Sequence, residues 1–104
     1  MGLFSKKEPT KASVNNGVQE VSVVVEGAYT PNHIVAKNGI PLRITFDRRE
    51  TADCSEFVSF PDLKVNKKLE PMAKTVVEFT PEKAGEFEFV CNMGMYHGKL
   101  IIEE

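Results

Sequence analysis

The sequence has no tryptophan, only two cysteines and two histidines, and no surplus of one charge, since 13 Lys and Arg stand against 15 Asp and Glu for a formal net charge of −2. Each shortage excludes something. Nucleic-acid binding needs a clustered basic surface that releases counterions from phosphates, and a near-neutral chain does not offer one. Two cysteines are too few for the disulfide framework of a small secreted module. Nor is such a framework needed: a chain of 104 residues can hide roughly 60 to 70% of its unfolded surface in a single core. No run approaches the roughly 20 apolar residues of a membrane span. The opening Met1-Gly2-Leu3-Phe4-Ser5-Lys6-Lys7 is too short in apolar residues for a secretory signal, whose apolar region runs to about 7 to 15. Gly2 is followed at position 6 by Lys6, where N-myristoylation wants Ser or Thr. The chain is therefore expected to be soluble, monomeric and cytoplasmic, with any membrane association supplied by a segment outside this sequence. No Ser/His/Asp arrangement, paired catalytic carboxylates or phosphate-binding glycine loop is present, so it is not expected to be an enzyme.

What the sequence does have is alternation. Residues 1–17 show no apolar period and end at the turn-forming pair Asn16-Gly17, which reads as a flexible leader before a domain of residues 18–104. From Val18 onward apolar residues recur with period 2, the spacing of half-buried strands. Val21, Val23 and Val25 share a face; so do Ile40, Leu42, Ile44 and Phe46, then Thr75, Val77 and Phe79, then Phe87 and Phe89, then Leu100 and Ile102. Pro, Gly and Asn punctuate the runs. Short strands at this spacing predict an all-β two-sheet sandwich or barrel. Residues 51–68 are the least regular, with a short helical turn expected near 62–68.

The sulfur atoms carry the functional signal. Strand parity puts Phe87, Phe89 and Cys91 on the core face. Cys91 closes its strand, because Asn92-Met93-Gly94-Met95-Tyr96-His97-Gly98 lacks alternation and contains two glycines, before a final strand resumes at residues 99–103. In that tight loop Cys91, Met93 and Met95 stand at alternate positions, where three sulfurs can turn toward one point. Cys54, at the expected start of the strand containing Phe57 and Phe60, can lie at the same end of an antiparallel sandwich. Three arrangements remain open: a Cys54–Cys91 disulfide, two independent buried thiols, or a shared metal site. For the last, thiolates with thioethers select Cu(I), whereas zinc prefers Cys and His and rarely accepts Met.

The run Gly85-Glu86-Phe87-Glu88-Phe89-Val90-Cys91, the loop after it, and Gly98-Lys99-Leu100-Ile101-Ile102 resemble the ligand-bearing strand, loop and last strand of a cupredoxin. The segment from Tyr29-Thr30-Pro31 to Gly39-Ile40-Pro41-Leu42-Arg43-Ile44-Thr45-Phe46 resembles that family's early strands. The resemblance implies a Greek-key β-sandwich of about seven to eight strands. Cupredoxins usually hold blue copper with two His, one Cys and a weak axial Met. Here Cys54 stands where the first histidine usually lies, and Met93 and Met95 occupy the loop that carries the second. In this all-sulfur pattern the sequence is similar to the streptococcal-type cupredoxin copper chaperone and to the N-terminal metal-binding domain of the Cu(I)-exporting P-type ATPase.

That likeness implies one or two Cu(I) ions held by Cys54, Cys91, Met93 and Met95, with the thiolates binding tightly and the thioethers completing a weaker, more exposed position. The implied partners are a copper-exporting P-type ATPase or a copper chaperone, and the implied role is transfer in copper export and resistance. A blue-copper electron carrier is the alternative, and it would need His33 or His97 as ligand. Otherwise His97 is expected to be solvated, His33 to be a surface or hydrogen-bonded residue, and Met72 to be a core or rim residue. Arg48-Arg49 and Lys67-Lys68 are expected to be solvated faces that can steer docking.

Overall fold

A computed structural model describes residues 10–91 and 94–104. Among the described residues eleven strands form two sheets. In chain order they are β1 (Thr10–Lys11), β2 (Ser13–Asn15), β3 (Val18–Val25), β4 (Tyr29–Thr30), β5 (His33–Lys37), β6 (Leu42–Arg48), β7 (Phe57–Phe60), β8 (Val65–Lys68), β9 (Ala73–Phe79), β10 (Gly85–Cys91) and β11 (His97–Glu103). One sheet has the order β1-β5-β11-β10-β7-β8; the other has β2-β3-β6-β9, with β4 beside β3. The β1–β5, β5–β11 and β3–β6 pairs are parallel and the rest antiparallel. The three short strands β1, β2 and β4 account for the excess over the seven or eight expected. Among the described residues there is no α-helix, and none long and apolar enough to cross a membrane.

Period-2 patterning places the core as expected. Val23, Val25, Leu42, Ile44, Phe46, Phe87, Phe89, Leu100 and Ile102 all point between the sheets. Burial of each large apolar side chain contributes about 1.5 to 3 kcal/mol. The aromatic part of the core is continuous: the Phe89 ring lies 5.3 Å from Phe60, 6.1 Å from Phe46 and 5.1 Å from Tyr29. At one pole buried Gln19 closes the sandwich, donating to the carbonyls of Lys37 (2.9 Å) and Ile40 (3.0 Å) and accepting the Lys37 N–H.

Two expectations need correction. Asn16-Gly17 is the bend of the β2–β3 hairpin rather than the end of a leader, because β2 pairs with β3, β1 pairs with β5, and Ala12 N–H donates to the Val35 carbonyl at 2.9 Å. Residues 10–15 thus belong to the sheets. The irregular stretch holds a 3₁₀ turn at Pro61–Leu63 and then β8, so most of the expected turn at 62–68 is strand.

Candidate metal centre

The pole opposite Gln19 gathers the ends of β3, β6 and β10 with the loops that follow them. Cys91, the last residue of β10, pairs with Val58 of β7, and Cys54 lies just upstream in a 3₁₀ turn at Asp53–Ser55. Cys54 is therefore on a turn leading into β7, not on the strand itself. Adjacent antiparallel strands bring the two thiol-bearing segments to one end of one sheet.

Cys91 is 2% exposed and is a free thiol, as is the half-buried Cys54. The loop after Cys91 folds back tightly. The Gly94 N–H donates to the Cys91 carbonyl (3.0 Å) and the Cys91 N–H to the Tyr96 carbonyl (3.2 Å). Gly94 has φ +71°, a conformation that costs a side-chain-bearing residue but not glycine. This turn aims the N–H groups of Met95 (3.1 Å) and Tyr96 (3.2 Å) at the Cys91 Sγ. Met95 itself is 68% exposed, so a thioether at the surface directly follows a loop wrapped round a buried sulfur. Met93 lies outside the described residues.

Tyr96 stands between the two thiol-bearing segments: its main-chain N–H donates to the Cys91 Sγ and its side chain donates to Glu50 Oε2 at 2.8 Å, while burial, with Cys54 and Glu50 beside it, pushes its phenol above the usual range. Glu50 Oε1 accepts the Gly27 N–H at 2.8 Å. Burial pushes the Glu50 carboxyl upward, yet hydrogen bonds from Ser55, Gly27 and Tyr96 and the charge of Arg48 outweigh it and hold the group below its usual range. Glu50 thus ties the turn after β3 to the loop after β10.

Arg48 was expected to be half of a solvated basic pair, and the structure overturns this. It is 3% exposed, and its guanidinium donates to Ser55 Oγ (3.1 Å), the Leu69 carbonyl (2.7 Å) and the Ala52 carbonyl (2.7 Å). Those bonds clamp the turn that carries Cys54. Arg49 is the exposed member, paired with Asp47 at 2.9 Å. A signal for Arg48 was present in the sequence, since it continues the inward parity of Leu42, Ile44 and Phe46. Glu50 and Tyr96 carried no local signal, because their bond spans distant segments.

The histidines lie elsewhere. His97 pairs with Val90 and His33 with Lys99, on the outer face of the six-stranded sheet, while Cys91 points inward. His97 is exposed and its Nδ1 lies 2.8 Å from Glu88 Oε2. That hydrogen bond raises the imidazole above its usual pKa, against a small desolvation effect. His33 is half-buried on that outer face, as a surface residue was expected to be, and its Nε2 is buried with no partner among the described residues. Neither ring shares a face with Cys91, which removes the ligands a blue-copper site would need. Among the described residues no group of three or more His, Cys, Asp or Glu side chains is arranged to hold a metal. Met72 is a rim residue, 67% exposed, and the Ala73–Arg48 pairing puts it at the site end of the molecule.

The sequence profile of the Cupredoxin-like domain matches residues 2–102. The chain belongs to the cupredoxin-like family. Two solved structures resemble it along nearly their whole length. One is the crystal structure, with Cu(I), of the metal-binding domain of the Streptococcus pneumoniae Cu(I)-exporting P-type ATPase CopA, at 33% identity and TM-score 0.91, covering 96% of this chain and 100% of that one. The other is the solution structure of a copper binding protein in its apo form, at 48% identity and TM-score 0.88, covering 92% of this chain and 98% of that one. A reduced, Cu(I) form of amicyanin, at 20% identity, TM-score 0.64 and 86% coverage of both chains, shares the fold. No curated protein sequence matches the chain significantly.

Proposed function

We propose that this cupredoxin-like domain binds Cu(I) through sulfur and passes it on in copper export, as a chaperone or as the metal-binding domain of a copper-exporting P-type ATPase. The observation that carries this reading is the setting of Cys91. Its sulfur is sequestered from water, receives two main-chain N–H groups, and lies at the same end of the sheet as a second free thiol, Cys54. N–H dipoles aimed at sulfur favour the negative charge that a metal-bound thiolate carries. Two thiolates offset the charge of one Cu(I) and suit its preference for soft ligands at low coordination number. The likeness to the CopA domain, solved with Cu(I), supports the same chemistry.

The thioethers give the site its direction. Met95 stands in solvent next to the buried thiol, and with Met93 it forms a weaker, exchangeable position through which copper reaches a partner. The domain performs no catalysis of its own. Anaerobic competition with a Cu(I) chelator tests the assignment. Cys54→Ser or Cys91→Ser should abolish tight binding, whereas Met93→Leu with Met95→Leu should remove only a second, weaker equivalent. Unchanged affinity in both cysteine variants, or an intense blue band on adding Cu(II), would refute it.

A further inference from the structure

Tyr29, the first residue of β4, pairs with Val25 of β3 and is 3% exposed. Its ring is held on three sides, 5.1 Å from Phe89, 6.1 Å from Phe46 and edge-on to Tyr96 at 5.6 Å. Phe89 is two residues before Cys91 on the same inward face, and Tyr96 gives its N–H to the Cys91 sulfur. The ring is thus wedged between the two residues that flank the buried thiol. Its hydroxyl is buried and has no hydrogen-bond partner among the described residues. A phenol in the core normally finds an acceptor, because an unpaired buried hydroxyl is unfavourable. The Cys91 and Cys54 thiols lie close enough to oppose ionisation of the Tyr29 phenol, and a neutral S–H is a poor acceptor.

We propose that the Tyr29 hydroxyl is a donor reserved for the copper-loaded site, unpaired until Cu(I) turns the cysteine sulfurs into thiolates. This rests on the reading of Cys54 and Cys91 as copper ligands. When Cu(I) binds, each Cys S–H bond is replaced by an S–Cu bond and the proton leaves to solvent, with no change of oxidation state. The sulfur then carries negative charge and accepts an O–H hydrogen bond far better than the thiol did. In the metal-free protein burial, followed by repulsion from Cys91, Tyr96 and Cys54, raises the Tyr29 phenol well above its usual range, so the group that meets the new thiolate is a protonated donor. The hydroxyl is a cost to the empty protein and a gain to the loaded one, so it strengthens copper binding specifically.

Two measurements on Tyr29→Phe separate this from a packing role. The variant keeps the ring and its three aromatic contacts. Its metal-free form should have an unchanged or higher urea midpoint, while its Cu(I) affinity in anaerobic chelator competition should fall about tenfold or more, as expected for losing a hydrogen bond to a charged acceptor. A metal-free protein that loses stability, or Cu(I) affinity equal to that of the unsubstituted chain, overturns the inference. Cys54→Ser and Cys91→Ser are assayed alongside. If they leave Cu(I) binding intact, the copper reading fails and this inference with it. If they abolish binding while Tyr29→Phe does not weaken it, only the role of Tyr29 fails.

Discussion

Gly98 sits in β11 directly opposite Phe89 of β10, and a Cβ added there would overlap the Phe89 ring. The ring cannot retreat easily. It is 0% exposed, with Tyr29 at 5.1 Å, Phe60 at 5.3 Å and Phe46 at 6.1 Å. Forcing one methyl into a packed core costs about 1 to 3 kcal/mol, and confinement by three rings puts Gly98→Ala near the top of that range. The reduced freedom of the unfolded chain returns about 0.4 to 1 kcal/mol, leaving a net loss of about 2 kcal/mol. For a domain of this size that is a fall of roughly 8 to 16 °C in Tm. Urea denaturation with an unchanged m-value is the assay. Phe89→Leu, placed in the Gly98→Ala background, should recover part of the loss although it is destabilising by itself. Stability within about 0.5 kcal/mol of the parent, or no coupling between the two sites, would refute the packing argument. Because the same ring supports Tyr29 and precedes Cys91, Gly98→Ala should also weaken Cu(I) binding.

Other variants probe the scaffold of the site. Arg48→Met leaves the carbonyls of Ala52 and Leu69 without their donor and should cost about 3 kcal/mol, with NMR shift changes centred on residues 52–55 and 69; a loss below about 1 kcal/mol would contradict the clamp. Tyr96→Phe removes the bond to Glu50 and should speed alkylation of Cys91 by iodoacetamide several-fold, and an unchanged rate would show that the loop is held by its main chain alone. The raised pKa of His97 means that its ion pair with Glu88 contributes fully below about 6.5 and is lost as pH rises through the folded-state value. NMR titration should place His97 above that reference, and Glu88→Gln should return it; equal values in the two proteins would exclude the pair. Glu50 shifts the other way, so its contribution is present above its ordinary 4.5 and lost as pH falls through the lowered value, a loss that Glu50→Gln should remove from the acid limb of the stability profile.

Much of this was legible from parity. Phe87, Phe89 and Cys91 alternate with the charged Glu86 and Glu88 and the half-buried Val90, so the inward direction of the buried thiol followed from its strand, and the glycine-bearing loop put Met95 at the same end. The unread parts lack that periodicity. Thr10–Lys11 and Ser13–Asn15 are wholly exposed and held by main-chain hydrogen bonds, so no hydrophobic signal marks them as strands. The Val65–Lys68 strand has a single apolar residue at its start. Arg48 was misread because a basic dipeptide usually lies in solvent, although the β6 alternation already pointed it inward. Gly98 read as a loop residue; its reason is the ring across the strand pair. Glu50 and Tyr96 meet 46 positions apart, a separation over which one sequence carries no pairing signal.

The six-stranded sheet ends at β8, whose Asn66, Lys67 and Lys68 are exposed. An edge strand offers unpaired main-chain groups to any extended chain that meets it, and lysines there oppose such pairing. The five-stranded sheet ends at β9, where Lys74 and Glu78 flank the exposed Val76. These two edges of the sandwich therefore discourage fibril-like growth, even when copies are crowded together. Lys67→Val combined with Lys68→Val should make the protein assemble in a concentration-dependent way, read by light scattering across a dilution series, and assembly no stronger than that of the parent would refute the edge argument.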